Sequence, residues 1–144
     1  MDQAQKLAEI HFHAKSDQLQ HVRNEVRDAV GERHFFPSNI VECIVLAVDE
    51  ACTNIIRHAY GRECDIEIVL EIVADGEELV FRLTDFADPV NDQAVRPRAI
   101  NHMQPGGLGM HIIHQVMDNV AFVQCPNGTG NVLEMRKKTT PTGT

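Results

Sequence analysis

A chain of 144 residues with 43% hydrophobic side chains is long enough for one self-sufficient core and too apolar for disorder. One domain over residues 1–144, needing no disulfide or metal staple, is the expectation. Its net charge of −8 and pI near 5.4 disfavour nucleic-acid binding unless a local basic patch exists, and the only basic clusters, Arg96-Pro97-Arg98 and Arg136-Lys137-Lys138, are short.

No apolar run approaches the roughly 18 residues of a membrane span. The start, Met1-Asp2-Gln3-Ala4-Gln5-Lys6, lacks the basic-then-apolar layout of a signal peptide, so a cytoplasmic protein with no membrane partner is expected.

Residues 7–14 alternate polar and apolar side chains, which predicts an edge strand with His11 and His13 on its open face and Ile10 and Phe12 behind them. Ser16 offers an N-cap to a helix carrying Leu19, Val22, Val26 and Val30 up to Gly31. Pro37-Ser38 opens a second helix through Ile40, Ile44, Val48, Cys52, Ile55 and Ala59 to Gly61. Strands are predicted over Asp65–Val73 and Glu78–Thr84, joined by the hairpin signal Ala74-Asp75-Gly76-Glu77.

From Phe86 to Gly107 the periodicity stops. Pro89, Pro97 and Pro105 punctuate a loop long enough to serve as a lid. A third helix begins at Gly107-Leu108-Gly109 and carries Leu108, Ile112, Ile113, Val116 and Met117. Two last strands, about 120–125 and 131–137, flank the turn Pro126-Asn127-Gly128-Thr129-Gly130. The core should run over about 8–138, with a frayed tail at 139–144. The order β-α-α-β-β-loop-α-β-β, with its strands in hairpins, predicts an α+β two-layer sandwich: a mixed, mostly antiparallel sheet covered on one face by helices.

Cys43, Cys52, Cys64 and Cys125 show no Cys-x-x-Cys spacing, and three of them fall in apolar segments. They read as reduced core residues rather than zinc ligands. His111 and His114 share a helix but lack the glutamate of a zinc-protease motif, and read as solvated or hydrogen-bonded.

Three places carry chemistry. On a helical wheel, Val41, Val48, Cys52, Ile55 and Ala59 form the face that packs on the sheet, and Glu50, Asn54 and Arg57 fall opposite. Cys43 and Leu46 share that opposite stripe, so it is not simply a solvated face. Buried Glu and Asn need partners. A cation with its phosphate ligand would supply them, and so would a structural hydrogen-bond network; spacing alone also fits an ordinary surface trio.

Asp85, where an apolar strand ends, can accept a hydrogen bond from an exocyclic amine such as that of adenine, or can simply be a turn residue. Pro105-Gly106-Gly107-Leu108-Gly109-Met110 leads into a helix, where glycines allow an anion to come close and the helix start offers free N–H groups. It is neither a Walker A loop nor a Rossmann turn, and alone it is a weak signal.

Together, Glu-x-x-x-Asn on a helix, Asp at a strand end and Gly-Gly-x-Gly before a helix resemble the histidine-kinase-like (GHKL) ATPase superfamily. Within it the likeness is to the anti-sigma factor serine kinases of the RsbW type. It is carried by Val48-Asp49-Glu50-Ala51-Cys52-Thr53-Asn54 with His58-Ala59-Tyr60, by Gly106-Gly107-Leu108-Gly109 with Met117-Asp118, and by Gly130-Asn131-Val132-Leu133, and it runs from about Ile10 to Lys138.

The resemblance implies the Bergerat, histidine-kinase-like fold and an ATP-dependent serine/threonine protein kinase with ATP/ADP and Mg²⁺ as cofactors. Asn54 would coordinate Mg²⁺, Glu50 would act as general base, and Asp85 would hold the adenine amine. Gly106, Gly107, Leu108 and Gly109 would surround the phosphates. The implied partners are a STAS-domain anti-anti-sigma factor, which would be phosphorylated, and a sigma factor, regulated by partner switching. Such proteins are often homodimers, although no residue pattern here marks an interface.

One position departs from the family pattern. Ala87 in Asp85-Phe86-Ala87-Asp88-Pro89 stands where the family has the glycine that lies against adenine. The departure keeps a second function open: a non-catalytic module that exchanges partners with or without nucleotide. A scaffold subunit without nucleotide is a third, and three intact site elements weigh against it.

Overall fold

The computed structural model describes residues 4–59, 65–85, 108–124 and 131–139. The alternating segments form five strands: β1 Gln5–His13, β2 Glu67–Asp75, β3 Glu78–Asp85, β4 Asn119–Gln124 and β5 Asn131–Lys138. They make one sheet in the order β1-β2-β3-β5-β4, with β1 at an edge as its pattern predicts, and all four pairings are antiparallel. The β2–β3 hairpin turns on Gly76-Glu77, and Gly76 takes a φ of +65°, a conformation glycine adopts without penalty.

Three helices, α1 Leu19–Gly31, α2 Ser38–Asn54 and α3 Leu108–Val116, cover one face of the sheet. The two-layer α+β architecture expected from the sequence is therefore the one observed. Ile10 and Phe12 of β1, Ile68, Leu70 and Ile72 of β2, Phe81 and Leu83 of β3, and Leu133 and Met135 of β5 supply the sheet's side of the core. Val22, Val26 and Val30 of α1, Ile44 and Val48 of α2 and Ile113 of α3 supply the other.

No described helix covers the opposite face of the sheet, and its apolar residues Val69, Val73 and Val80 are nonetheless buried. Long charged side chains flank them, with Lys6 bound to Glu9 and Glu71, Arg82 to Glu134, and Arg136 to Glu78.

Local details correct the sequence reading at three points. Ser16 does not cap α1: it opens a 3-10 turn, Ser16–Gln18, and Gln18 precedes the helix with no side-chain cap bond. The α-helical part of α2 ends at Asn54 and passes into a π turn, Ile55–Ala59, instead of running unbroken towards Gly61, a residue outside the described ones. Cys43, expected in the core, is exposed, because it lies on the side of α2 turned away from the sheet. Cys52 is buried as expected, and Cys64 and Cys125 lie outside the described residues.

Two ion pairs fix how α1 and α2 lie against each other. Arg23 donates to Asp49 at 2.9 Å, and Arg27 makes a two-pronged contact with Glu42 at 2.7 and 3.0 Å. A residue four further along α1 thus meets one seven earlier on α2, so the helices run antiparallel. The start of α1, a few residues beyond His13, lies level with the end of α2.

Candidate functional site

The topology brings the distant site elements to one end of the sheet. His13 pairs with Glu67 and Ile68 with Asp85, and Asp85 pairs in turn with Asn131, so these residues share one rim. The antiparallel α1–α2 pair returns Asn54 to the same rim. Helix α3 is anchored at its C-terminal end. Its last residue, Val116, is bonded to Lys137 near the far rim, where Glu78 pairs with Lys138. Nine residues long, α3 spans about 12 Å from Val116 back to Leu108.

Asn54 is the most informative member. Exposure falls along the outward stripe of α2, from Leu46 at 45% through half-buried Glu50 to Asn54 at 7%. Its Nδ2 is buried and has no hydrogen-bond partner among the described residues. Such an orphan costs about 1–3 kcal/mol, which a folded chain tolerates where something else uses the group. Asn54 is also the last α-helical residue before the π turn, a distortion frequent at functional sites. The wider winding of that turn breaks the α-helical stripe before Arg57, which is exposed.

Asp85 is buried, at 5% exposure, on the helix-covered face of β3. A carboxylate buried there is no ordinary solvated turn residue. Glu50 has no hydrogen-bond or ion-pair partner among the described residues, whereas its neighbour Asp49 is engaged by Arg23. Leu108 and Gly109 are the first two residues of α3. Ala87, Gly106 and Gly107 lie outside the described residues.

Sequence reasoning missed Arg23, Asp118 and Lys137. Asp118 appeared only as part of a motif, and Lys137 only as part of a basic cluster. Their partners are remote in sequence, and no local periodicity announces them.

The pattern for the histidine kinase-like ATPase domain matches residues 12–137. The chain belongs to this family. Within the histidine kinase-like ATPases its likeness is to proteins named serine-protein kinase RsbW. The one from Bacillus cereus (strain G9842) is 29% identical over 102 residues, an overlap covering 65% of this chain and 63% of the relative. The one from Bacillus cereus (strain ATCC 10987 / NRS 248) is 31% identical over 101 residues with the same coverage. This ATPase-family chain thus spans 63% of the length of the curated relatives it matches. The crystal structure of the RsbU and RsbW domains of Rv1364c from Mycobacterium tuberculosis superposes with a TM-score of 0.61 at 15% identity. That match covers 91% of this chain and 32% of the other, a likeness of fold.

The residues present fit a nucleotide with Mg²⁺. The carboxamide of Asn54 carries an oxygen, Oδ1, a hard donor of the kind Mg²⁺ takes. Among the described residues no cluster of three His, Cys, Asp or Glu side chains forms a protein-only metal cage. A Mg²⁺ held partly by phosphates needs none.

Proposed function

We propose that this chain is one histidine kinase-like ATPase domain acting as a serine/threonine protein kinase, with a STAS-domain anti-anti-sigma factor as substrate and a sigma factor as the regulated partner. The observation that carries it is the buried, unpartnered amide of Asn54 at the rim that also holds Asp85.

Asn54 holds Mg²⁺, and the ion supplies charge neutralisation at the phosphates. Asp85 accepts a hydrogen bond from the exocyclic amine of adenine, a carboxylate being acceptor only. The start of α3, led by Gly106 and Gly107, sets free N–H groups and the positive end of the helix dipole against the phosphates. Glu50 takes the proton given up by the acceptor hydroxyl, which its lack of a cationic partner among the described residues leaves it free to do. With an acidic net charge, the chain suits a protein acceptor better than a nucleic acid.

The test is Glu50→Gln with labelled ATP and a candidate STAS-domain protein. Phosphotransfer should fall by about 10²–10⁴-fold while ATP affinity stays within about twofold. Wild-type transfer by the variant would remove Glu50 as base. Ala87 favours a second reading, a non-catalytic partner-exchange module. Label appearing on a partner serine or threonine in the wild-type incubation excludes that reading.

A further inference from the structure

The C-terminal end of α3 is laced to the end of β5 by three hydrogen bonds. The Lys137 ammonium donates to the carbonyl of Val116, the last residue of α3, at 2.8 Å. The Asp118 N–H donates to the Arg136 carbonyl at 2.8 Å, and the Lys138 N–H donates to Asp118 Oδ2 at 2.7 Å. Lys137 also stands over the Phe36 ring of the α1–α2 connection, 6.0 Å from its centroid. The strand that carries the clamp is itself held, since the Thr139 N–H donates to the Glu77 carbonyl of the β2–β3 turn at 2.8 Å.

Apolar packing holds α3 against the protein but says little about its position along its own axis. Met110, Ile113 and Met117 are buried, and burial of apolar surface is non-directional, so a short helix can slide over such contacts at small cost. Hydrogen bonds are directional. The three at the Val116–Asp118 corner define an axial stop, and the Lys137 charge at a helix C-terminus adds a favourable dipole interaction. α3 is only nine residues long and stiff, so a displacement at this corner reaches Leu108 undiminished.

We infer that Asp118 and Lys137 are positioning residues. Through this clamp they set the height at which the first turn of α3 meets a nucleotide's phosphates. The inference rests on the nucleotide reading above. It gives Asp118 a role that its place beside the helix does not reveal, because its carboxylate touches β5 rather than the rim where Asp85 lies.

The full chain should be compared as wild type, Asp118→Ala and Lys137→Met, with Asp118→Asn and Lys137→Arg as rescue variants that keep an oxygen acceptor and a cationic donor. Well below the melting transition, the dissociation constant for Mg²⁺-ATP should rise by about tenfold in the first two and return near wild type in the rescue pair. Turnover at saturating ATP should change much less. Backbone amides of Met110–Val116 should lose hydrogen-exchange protection while those of α2 keep theirs. Nucleotide affinities within twofold of wild type, with only a lowered melting temperature, would overturn the inference and leave the clamp a stabilising device. A wild-type chain that binds no nucleotide would instead sink the nucleotide reading. The exchange arm would then decide alone, unchanged protection of α3 in Asp118→Ala overturning the clamp.

Discussion

Asp85 stands opposite Ile68 in the β2–β3 ladder, on the face the helices cover, and is 5% exposed. Burying a carboxylate at a core-facing register position is costly, and polar groups must satisfy it. Replacing Asp85 by Ala should remove a charge-assisted hydrogen bond of about 1.5–3 kcal/mol from adenine recognition. Calorimetry should read this as roughly a ten- to hundredfold weaker ATP affinity. Unchanged affinity would take Asp85 out of the site.

Asn54 gives a prediction of opposite sign for stability and function. Asn54→Leu keeps the side chain's approximate shape and removes the orphaned Nδ2, so the nucleotide-free protein should gain about 1–2 kcal/mol. Its melting temperature should rise by a few degrees, about 2–4 °C per kcal/mol for a domain of this size. The same variant should lose Mg²⁺-dependent ATP binding. A lower melting temperature would mean that the amide is satisfied after all and serves the fold.

His11 offers a pH-dependent contact on the face of the sheet away from the helices. Its Nε2 meets Glu9 at 2.7 Å and its Nδ1 meets Glu67 at 3.1 Å, both carboxylates that only accept. Both ring nitrogens are satisfied as donors only in the imidazolium, so the hydrogen bond to Glu9, then that to Glu67, raises the His11 pKa above its usual 6.5. A raised folded-state pKa contributes stability that is fully present below the unfolded value and lost as pH rises through the folded one. His11→Gln should therefore lower the melting temperature more at pH 5.5 than at pH 9, conditions chosen at about a unit or more either side of the ordinary His pKa. An equal effect at both values would show the pairs to be solvent-screened contacts without weight.

The cysteines should separate by reactivity. Burial, and then the nearby Asp49 carboxylate, push the Cys52 thiol far above its usual range, whereas Cys43 is exposed on α2. Peptide mapping after maleimide treatment of the native protein should find Cys43 modified and Cys52 protected until denaturant is added. Labelling of native Cys52 at the rate of Cys43 would contradict its burial.

Much of the fold was legible because it is written in local periodicity. Ile68, Leu70 and Ile72 alternate with Val69 and Glu71, Gly76 marks the hairpin, and Val22, Val26 and Val30 mark a helix face. Each signal needs only a few neighbouring residues, so the chain displays it before it folds. Other features depend on what packs where. Val69, Val73 and Val80 are buried on the face away from the helices, beside ion pairs that join separate strands, and a helical wheel ranks Cys43 no differently from Asn54.

By itself the sequence determined which residue types were available for a site, Glu50 and Asn54 one helical turn apart, Asp85 at a strand end and Gly106, Gly107 and Gly109 before a helix. Tertiary structure alone decided that Asn54 and Asp85 are buried and that α2 and β3 bring them to one rim. The physical reason is range. Composition and spacing act over a turn or two of chain, whereas burial and the meeting of Arg23 with Asp49 or Lys137 with Val116 depend on residues 21 to 26 positions apart. The stripe that began as an ambiguous polar face of α2 became a candidate site because its far end, at Asn54, is the part that folding removes from water.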